Sequence, residues 1–203
     1  MTVAGRWTLA GLAVVAALVV ALALQLRQPT ALTGPGDVAP DPAALAAARE
    51  HAALPPCPAG TGDIPALHGI SVGCADDGST VAVERALAVG TPVVLNLWAY
   101  WCAPCARELP ALAQYQRDAG PAVTVVTVHQ DPAEATGLAR LADLGVALPT
   151  LQDPDRRIAG ALGVPNVMPA TVVLRSDGSV AQVLPREFDS AAQIADAVAA
   201  ALR

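Results

Sequence analysis

The chain contains no lysine; all twelve of its cations are arginines, set against eighteen acidic residues for a formal charge of −6. Two of these arginines, Arg6 and Arg27, bracket an apolar N-terminal run. Residues 28–203 therefore hold ten cations and eighteen anions, a net −8. An acidic body without a cluster of positive side chains lacks the electrostatic footprint of nucleic-acid binding, so nucleic acid is not expected as a partner. Cysteine is also scarce: there are four, and Cys102–Cys105 is the single pair with CxxC spacing. A structural zinc site normally draws four ligands from two CxxC or His-containing knuckles, and no second CxxC exists. Covalent haem attachment needs histidine directly after the second cysteine, where this chain has Ala106. No internal repeat is present. Neither a metal nor an organic cofactor is expected.

Charge is also missing from one long stretch. Trp7 to Leu26, "WTLAGLAVVAALVVALALQL", runs twenty residues without a charged side chain, about the span of a bilayer's hydrocarbon core. A cleaved signal peptide has a shorter apolar core, although the Ala21–Ala23 "ALA" would offer a cleavage site. The reading is an uncleaved single-pass anchor over residues 1–27. All four cysteines follow it in the sequence. An even set of cysteines suits an oxidising compartment, so the body is expected on the extracytoplasmic side of the cell membrane.

Residues 28–56, rich in Pro, Ala and Gly, read as a linker, with Asp41 and Pro42 offering a cap and first turn for a short helix. From Cys57 to Arg203 strand-like and helix-like patterns alternate. "GISVGC" suggests a short strand and "VAVERALAVG" a helix ended by Gly90. "PVVLNLWA" and "AVTVVTVHQ" are continuous apolar runs, as expected of strands buried on both faces. "CARELPALAQYQRDAG" reads as a helix, kinked at Pro110. "DPAEATGLARLADLG" and "DPDRRIAGALG" each suggest a helix capped by an aspartate, Asp131 and Asp153. "ATVVL" and "VAQVL" flank Asp177-Gly178, a hairpin turn signal, and residues 189–203 close the chain as an amphipathic helix. Such alternation implies a central sheet covered by helices.

Cys102 falls where a strand ends and a helix begins. Unpaired N–H groups and partial positive charge at that point favour thiolate over thiol. Cys105 lies one turn on, close enough to close a small disulfide ring, and Pro104 is tolerated because first-turn N–H groups lack helical partners anyway. One attacking sulfur and one more buried resolving sulfur are the minimum equipment for thiol–disulfide exchange. An inert disulfide here would constrain too little chain to stabilise much.

"NLWAYWCAPCARELP" resembles the active-site segment of the TlpA/ResA-like membrane-anchored thioredoxins, and the resemblance covers roughly residues 57–203. Trp101, Cys102, Pro104, Cys105 and Glu108 match that pattern one by one. "GVPNVMPATVVLRSDGSV" resembles the family's segment with a cis-proline followed by a strand and hairpin, which makes Pro169 the cis-proline against the disulfide. Cys57 and Cys74 resemble a pair found in actinobacterial-type members. They are read as a structural disulfide closing an eighteen-residue loop, worth about 3 kcal/mol on chain-entropy grounds. The resemblance implies a thioredoxin-like α/β fold, a central mixed sheet flanked by helices, preceded by the transmembrane helix.

Two departures matter. Asn96 stands six residues before Cys102, where cytosolic thioredoxins carry a buried aspartate that helps deprotonate the resolving thiol. Asparagine cannot act as a base, so Glu108, three residues after Cys105, becomes the candidate. Met168 precedes Pro169, where a small or β-branched residue is more usual. Its thioether fills space, or offers a soft copper(I) ligand beside Cys102 and Cys105. Trp98 reads as core, Trp101 as a shield over the disulfide and part of the docking surface. His51, His68 and His129 read as ordinary structural histidines.

These residues describe a membrane-tethered thiol–disulfide oxidoreductase acting on protein disulfide or dithiol substrates. By resemblance it reduces disulfides, as in cytochrome c maturation or copper-centre assembly, and a membrane electron-transfer partner recharges it. The alternatives are an oxidase that forms disulfides and a copper(I)-binding chaperone. A peroxidase of the related peroxiredoxin type is disfavoured, because no Thr-x-x-Cys peroxidatic motif occurs.

Overall fold

A computed structural model describes residues 41–203. The apolar segment read as an anchor lies outside the described residues, as do residues 28–40 of the linker. Among the described residues no helix is long and apolar enough to cross a membrane.

Seven strands form one sheet: β1 (Ser71–Cys74), β2 (Thr80–Ala82), β3 (Val93–Trp98), β4 (Thr124–His129), β5 (Thr150–Gln152), β6 (Ala170–Leu174) and β7 (Val180–Leu184). Their spatial order is β2-β1-β5-β4-β3-β6-β7. The central β3, β4 and β5 run parallel, while β1 and β6 join them antiparallel from either side, so the sheet is mixed. Among the described residues six α-helices accompany it: α1 (Pro42–Ala52), α2 (Val83–Ala86), α3 (Ala103–Ala119), α4 (Glu134–Asp143), α5 (Arg157–Ala161) and α6 (Ala191–Ala201).

Alternation along the central strands divides the core into two layers. On β3, Val94 and Trp98 face one layer with Cys105, Leu109 and Leu112 of α3 and Ile194 and Val198 of α6. Val93, Leu95 and Leu97 face the other, with Leu67, Val83 and Ile158. Both faces are dry, which is why these strands read as unbroken apolar runs. The β3 ladder pairs Trp98 with His129 on β4 and Asn96 with Thr171 on β6. That register brings three polar side chains into the first layer.

Four local expectations shift. The helix expected over Val81–Gly90 shrinks to α2, because Val81 pairs with Val72 to close the β1–β2 hairpin. Strand β5 carries no pattern of its own; its three residues are recruited by β4 and β1. Helix α4 begins two residues after Pro132, with Asp131 Oδ1 instead accepting from the Ala133 N–H at 2.8 Å. Helix α1 forms with the expected Asp41 cap, and it docks rather than dangling. Arg49 Nη2 meets Glu134 Oε1 of α4 at 2.8 Å, and Ala52 and Leu54 are buried. Packed residues thus extend ahead of residue 57; alanine-rich α1 shows too little contrast in sequence to reveal its docking face.

Candidate active site

Strand β3 ends at Trp98 and α3 begins at Ala103, so the intervening turn sets Cys102 at the N-cap of a seventeen-residue helix. Its backbone is extended, and its Sγ accepts from the Cys105 N–H at 3.2 Å. This sulfur therefore sits where the helix offers a donor and partial positive charge to a thiolate. Pro104 occupies the first turn, where its missing N–H costs no helical bond. Cys102 and Cys105 form a disulfide with Cα atoms 5.3 Å apart. Cys102 keeps 5% of its surface, whereas Cys105 has none. The helix runs on through Pro110 to Ala119.

Met168 and Pro169 lead directly into β6, which starts at Ala170, and the Met168–Pro169 peptide is cis. Met168 is partly buried and packs against the core layer that contains both sulfurs. Trp101 is 58% exposed, with Val167 next among the large exposed apolar side chains. The Trp101 indole is anchored through Nε1, which donates to Asp131 Oδ2 at 2.9 Å. Behind it, Gln152 Nε2 donates to the Asp131 carbonyl at 2.6 Å. The Gln152 oxygen is therefore free to accept from His129 Nδ1, at 2.8 Å. His129 is buried with its ring 4.7 Å from that of Trp98. Burial pushes its pKa down, against the opposing pull of Gln152, Asp131 and Glu134, so it stays neutral near pH 7.

Glu108 is fully buried on the α3 stripe that also carries Cys105, Leu109 and Leu112. Its Oε2 accepts from Asn96 Nδ2 at 2.9 Å. The same nitrogen lies 3.3 Å from Thr171 Oγ1. Burial raises the Glu108 pKa to about 7; the Asn96 hydrogen bond restrains the rise and the nearby Glu187 adds to it. A carboxyl poised there can take up or release a proton at neutral pH. Asn96, the departure at the aspartate position, is thus in direct contact with Glu108, the base expected to replace it.

Sequence reasoning missed Thr171 and the Asp131–Gln152–His129 chain. Thr171 had a signal: it is the polar interruption in "ATVVL", as Asn96 is in "VVLNLW". The chain had none, since it depends on β5. A third group was also invisible. Arg156, at φ 56°, donates from Nε to Gln130 Oε1 at 3.3 Å and also bonds Asn166 Oδ1, linking the end of β4 to the segment before Pro169. Cys57 and Cys74 form the second disulfide, Cα atoms 5.9 Å apart. Among the described residues no three His, Cys, Asp or Glu side chains are grouped to hold a metal ion.

Comparison with known proteins agrees with this geometry. A family model described as AhpC/TSA family matches residues 66–183. The thiol-disulfide oxidoreductase ResA of Bacillus subtilis (strain 168) is 29% identical over 110 residues, 54% of this chain and 61% of that protein. The chain thus spans less than two thirds of that relative's length. A thioredoxin of Mycolicibacterium smegmatis is 32% identical over 99 residues, 43% of this chain and 88% of that protein. The crystal structure of a DsbF homologue from Corynebacterium diphtheriae superposes with a TM-score of 0.55 at 28% identity, covering 64% of this chain and 83% of that one.

Proposed function

Since the chain belongs to the AhpC/TSA family of thioredoxin-like proteins, we propose that it is an extracytoplasmic thiol–disulfide oxidoreductase, membrane-tethered, which reduces protein disulfides. The observation that carries the reading is the Cys102–Cys105 disulfide at the start of α3, one turn from a buried glutamate. In the reduced protein the Cys102 thiolate attacks one sulfur of a partner's disulfide. A mixed disulfide forms and the partner's other sulfur leaves as a thiolate. Cys105 then gives its proton to the Glu108 carboxylate, and its sulfur attacks Cys102 Sγ. The partner's second thiolate departs, and the Cys102–Cys105 disulfide seen here is the product. Pro169 and Trp101 line the strip on which the partner docks, and Met168 packs behind it.

The location rests on the uncharged Trp7–Leu26 segment and on the pairing of all four cysteines. The direction, the setting in cytochrome c maturation or copper-centre assembly, and a membrane electron donor as partner rest on the resemblance of the active-site segment to the TlpA/ResA-like thioredoxins. Cys102→Ser must abolish disulfide reduction, and Cys105→Ser must accumulate a covalent complex with the physiological partner. A Cys102–Cys105 potential near about −120 mV, the scale of strong oxidants, would reverse the direction and make the protein a disulfide-forming oxidase.

A further inference from the structure

We propose that Thr171, Asn96 and Glu108 form a reversible hydrogen-bond chain in which Asn96 is a positioning residue for the Glu108 proton. The proposal rests on Glu108 as the base of the resolving step. One amide nitrogen, Asn96 Nδ2, serves both neighbours, at 2.9 Å from Glu108 Oε2 and 3.3 Å from Thr171 Oγ1. All three residues are sealed from solvent, and the β3–β6 register holds Asn96 directly opposite Thr171.

As drawn, the chain suits the carboxylate, because Nδ2 is a donor and an ionised carboxylate only accepts. Once Glu108 takes the Cys105 proton, its O–H needs an acceptor. Rotating the Asn96 amide by half a turn puts Oδ1 in the place of Nδ2. That oxygen then accepts from the Glu108 O–H and from the Thr171 hydroxyl, which can donate as readily as it accepts. The rotation leaves no additional unpaired group, since Asn96 Oδ1 is already buried without a partner. An aspartate at 96 would instead set a second negative charge against the base, and an apolar residue would strand it. The other groups that bias this titration are the Phe188 backbone, whose hydrogen bond favours the carboxylate, Glu187, tied to Arg107 by hydrogen bonds of 2.8 and 2.9 Å, and the two thiols at the start of the same helix. The strands β3 and β6 present only uncharged partners to it.

The test is paired. Infrared difference spectra, with Glu108→Gln as the blank, read the Glu108 carboxyl midpoint in the reduced protein. The pH profile of mixed-disulfide resolution reads its use. Asn96→Leu and Thr171→Val should move the infrared midpoint upward, by about one pH unit for Asn96→Leu, the scale of losing one hydrogen bond to a charged group. The resolving rate should follow, falling about fivefold at pH 7 as the ionised fraction drops, and recovering at higher pH. Thr171→Ser should restore both midpoints. Should the leucine variant not fold, isosteric Asn96→Asp must split the titration into two steps. A pH-independent loss of rate with an unmoved infrared midpoint overturns the proposal. If the infrared midpoint moves while Glu108→Gln leaves the rate profile intact, the chain stands and the catalytic reading of Glu108 falls.

Discussion

Glu108 is costly where it stands, and the cost has a sign. In the unfolded chain it titrates near 4.5, in the folded protein near 7, because burial disfavours its charge. Below pH 4.5 both states hold the proton and the residue has no effect. Between the two values the folded state keeps a proton that the unfolded chain has released, so stability falls as pH rises. Above pH 7 the loss is complete, on the order of 3 kcal/mol. Glu108→Gln, judged by denaturant melts from pH 4 to 9, should flatten that slope and be the more stable protein at pH 8. The same variant should slow mixed-disulfide resolution by about a hundredfold, the lower range for losing a general base. A variant that gains stability and loses turnover together marks a group kept for chemistry. Sequence spacing alone placed Glu108 on the Cys105 stripe. Its burial, and its bond to Asn96, were not legible, because both depend on how β3 sits beneath α3.

The elements legible in sequence were those whose own residues decide them. Strands β3, β4, β6 and β7 and helices α3 and α6 form over the stretches whose apolar runs, turn residues and periodicity announce them. The failures share one cause, dependence on a partner element: Val81 belongs to β2 through Val72, and Thr150–Gln152 becomes β5 only between β4 and β1. Helix α4 shows the same dependence at closer range. A Cβ on Gly137 would lie 2.7 Å from His129 Cε1, so the helix approaches β4 as nearly as its backbone allows. Gly137→Ala should therefore destabilise by about 1–3 kcal/mol through overpacking, overriding the roughly 1 kcal/mol that alanine normally gains in a helix. Thermal melts decide the sign. Because His129 also bonds Gln152, whose amide holds Asp131 and hence Trp101, the variant should weaken partner docking as well. That effect would register as a raised KM with little change in kcat.

On the scale of the whole molecule, α1 docks on α4, and the Cys57–Cys74 bridge ties the segment that follows it to β1. Cys74 lies on β1, and β5 and β4 separate that strand from β3. The bridge spans seventeen positions of sequence and constrains the unfolded chain by an amount worth about 3 kcal/mol. The Arg49–Glu134 contact on α4 adds less, because its side chains keep only 21% and 18% of their surface and the cost of desolvating them offsets much of the attraction. Cys57→Ser/Cys74→Ser should accordingly lower the melting temperature by roughly 10 °C, with Arg49→Ala shifting it far less. At 25 °C, where the double variant remains folded, the rate of disulfide exchange through Cys102 should match that of the parent protein. If the double variant instead loses exchange while still folded, electrons or docking pass through the second disulfide, and the pair is a redox partner of the first rather than a staple.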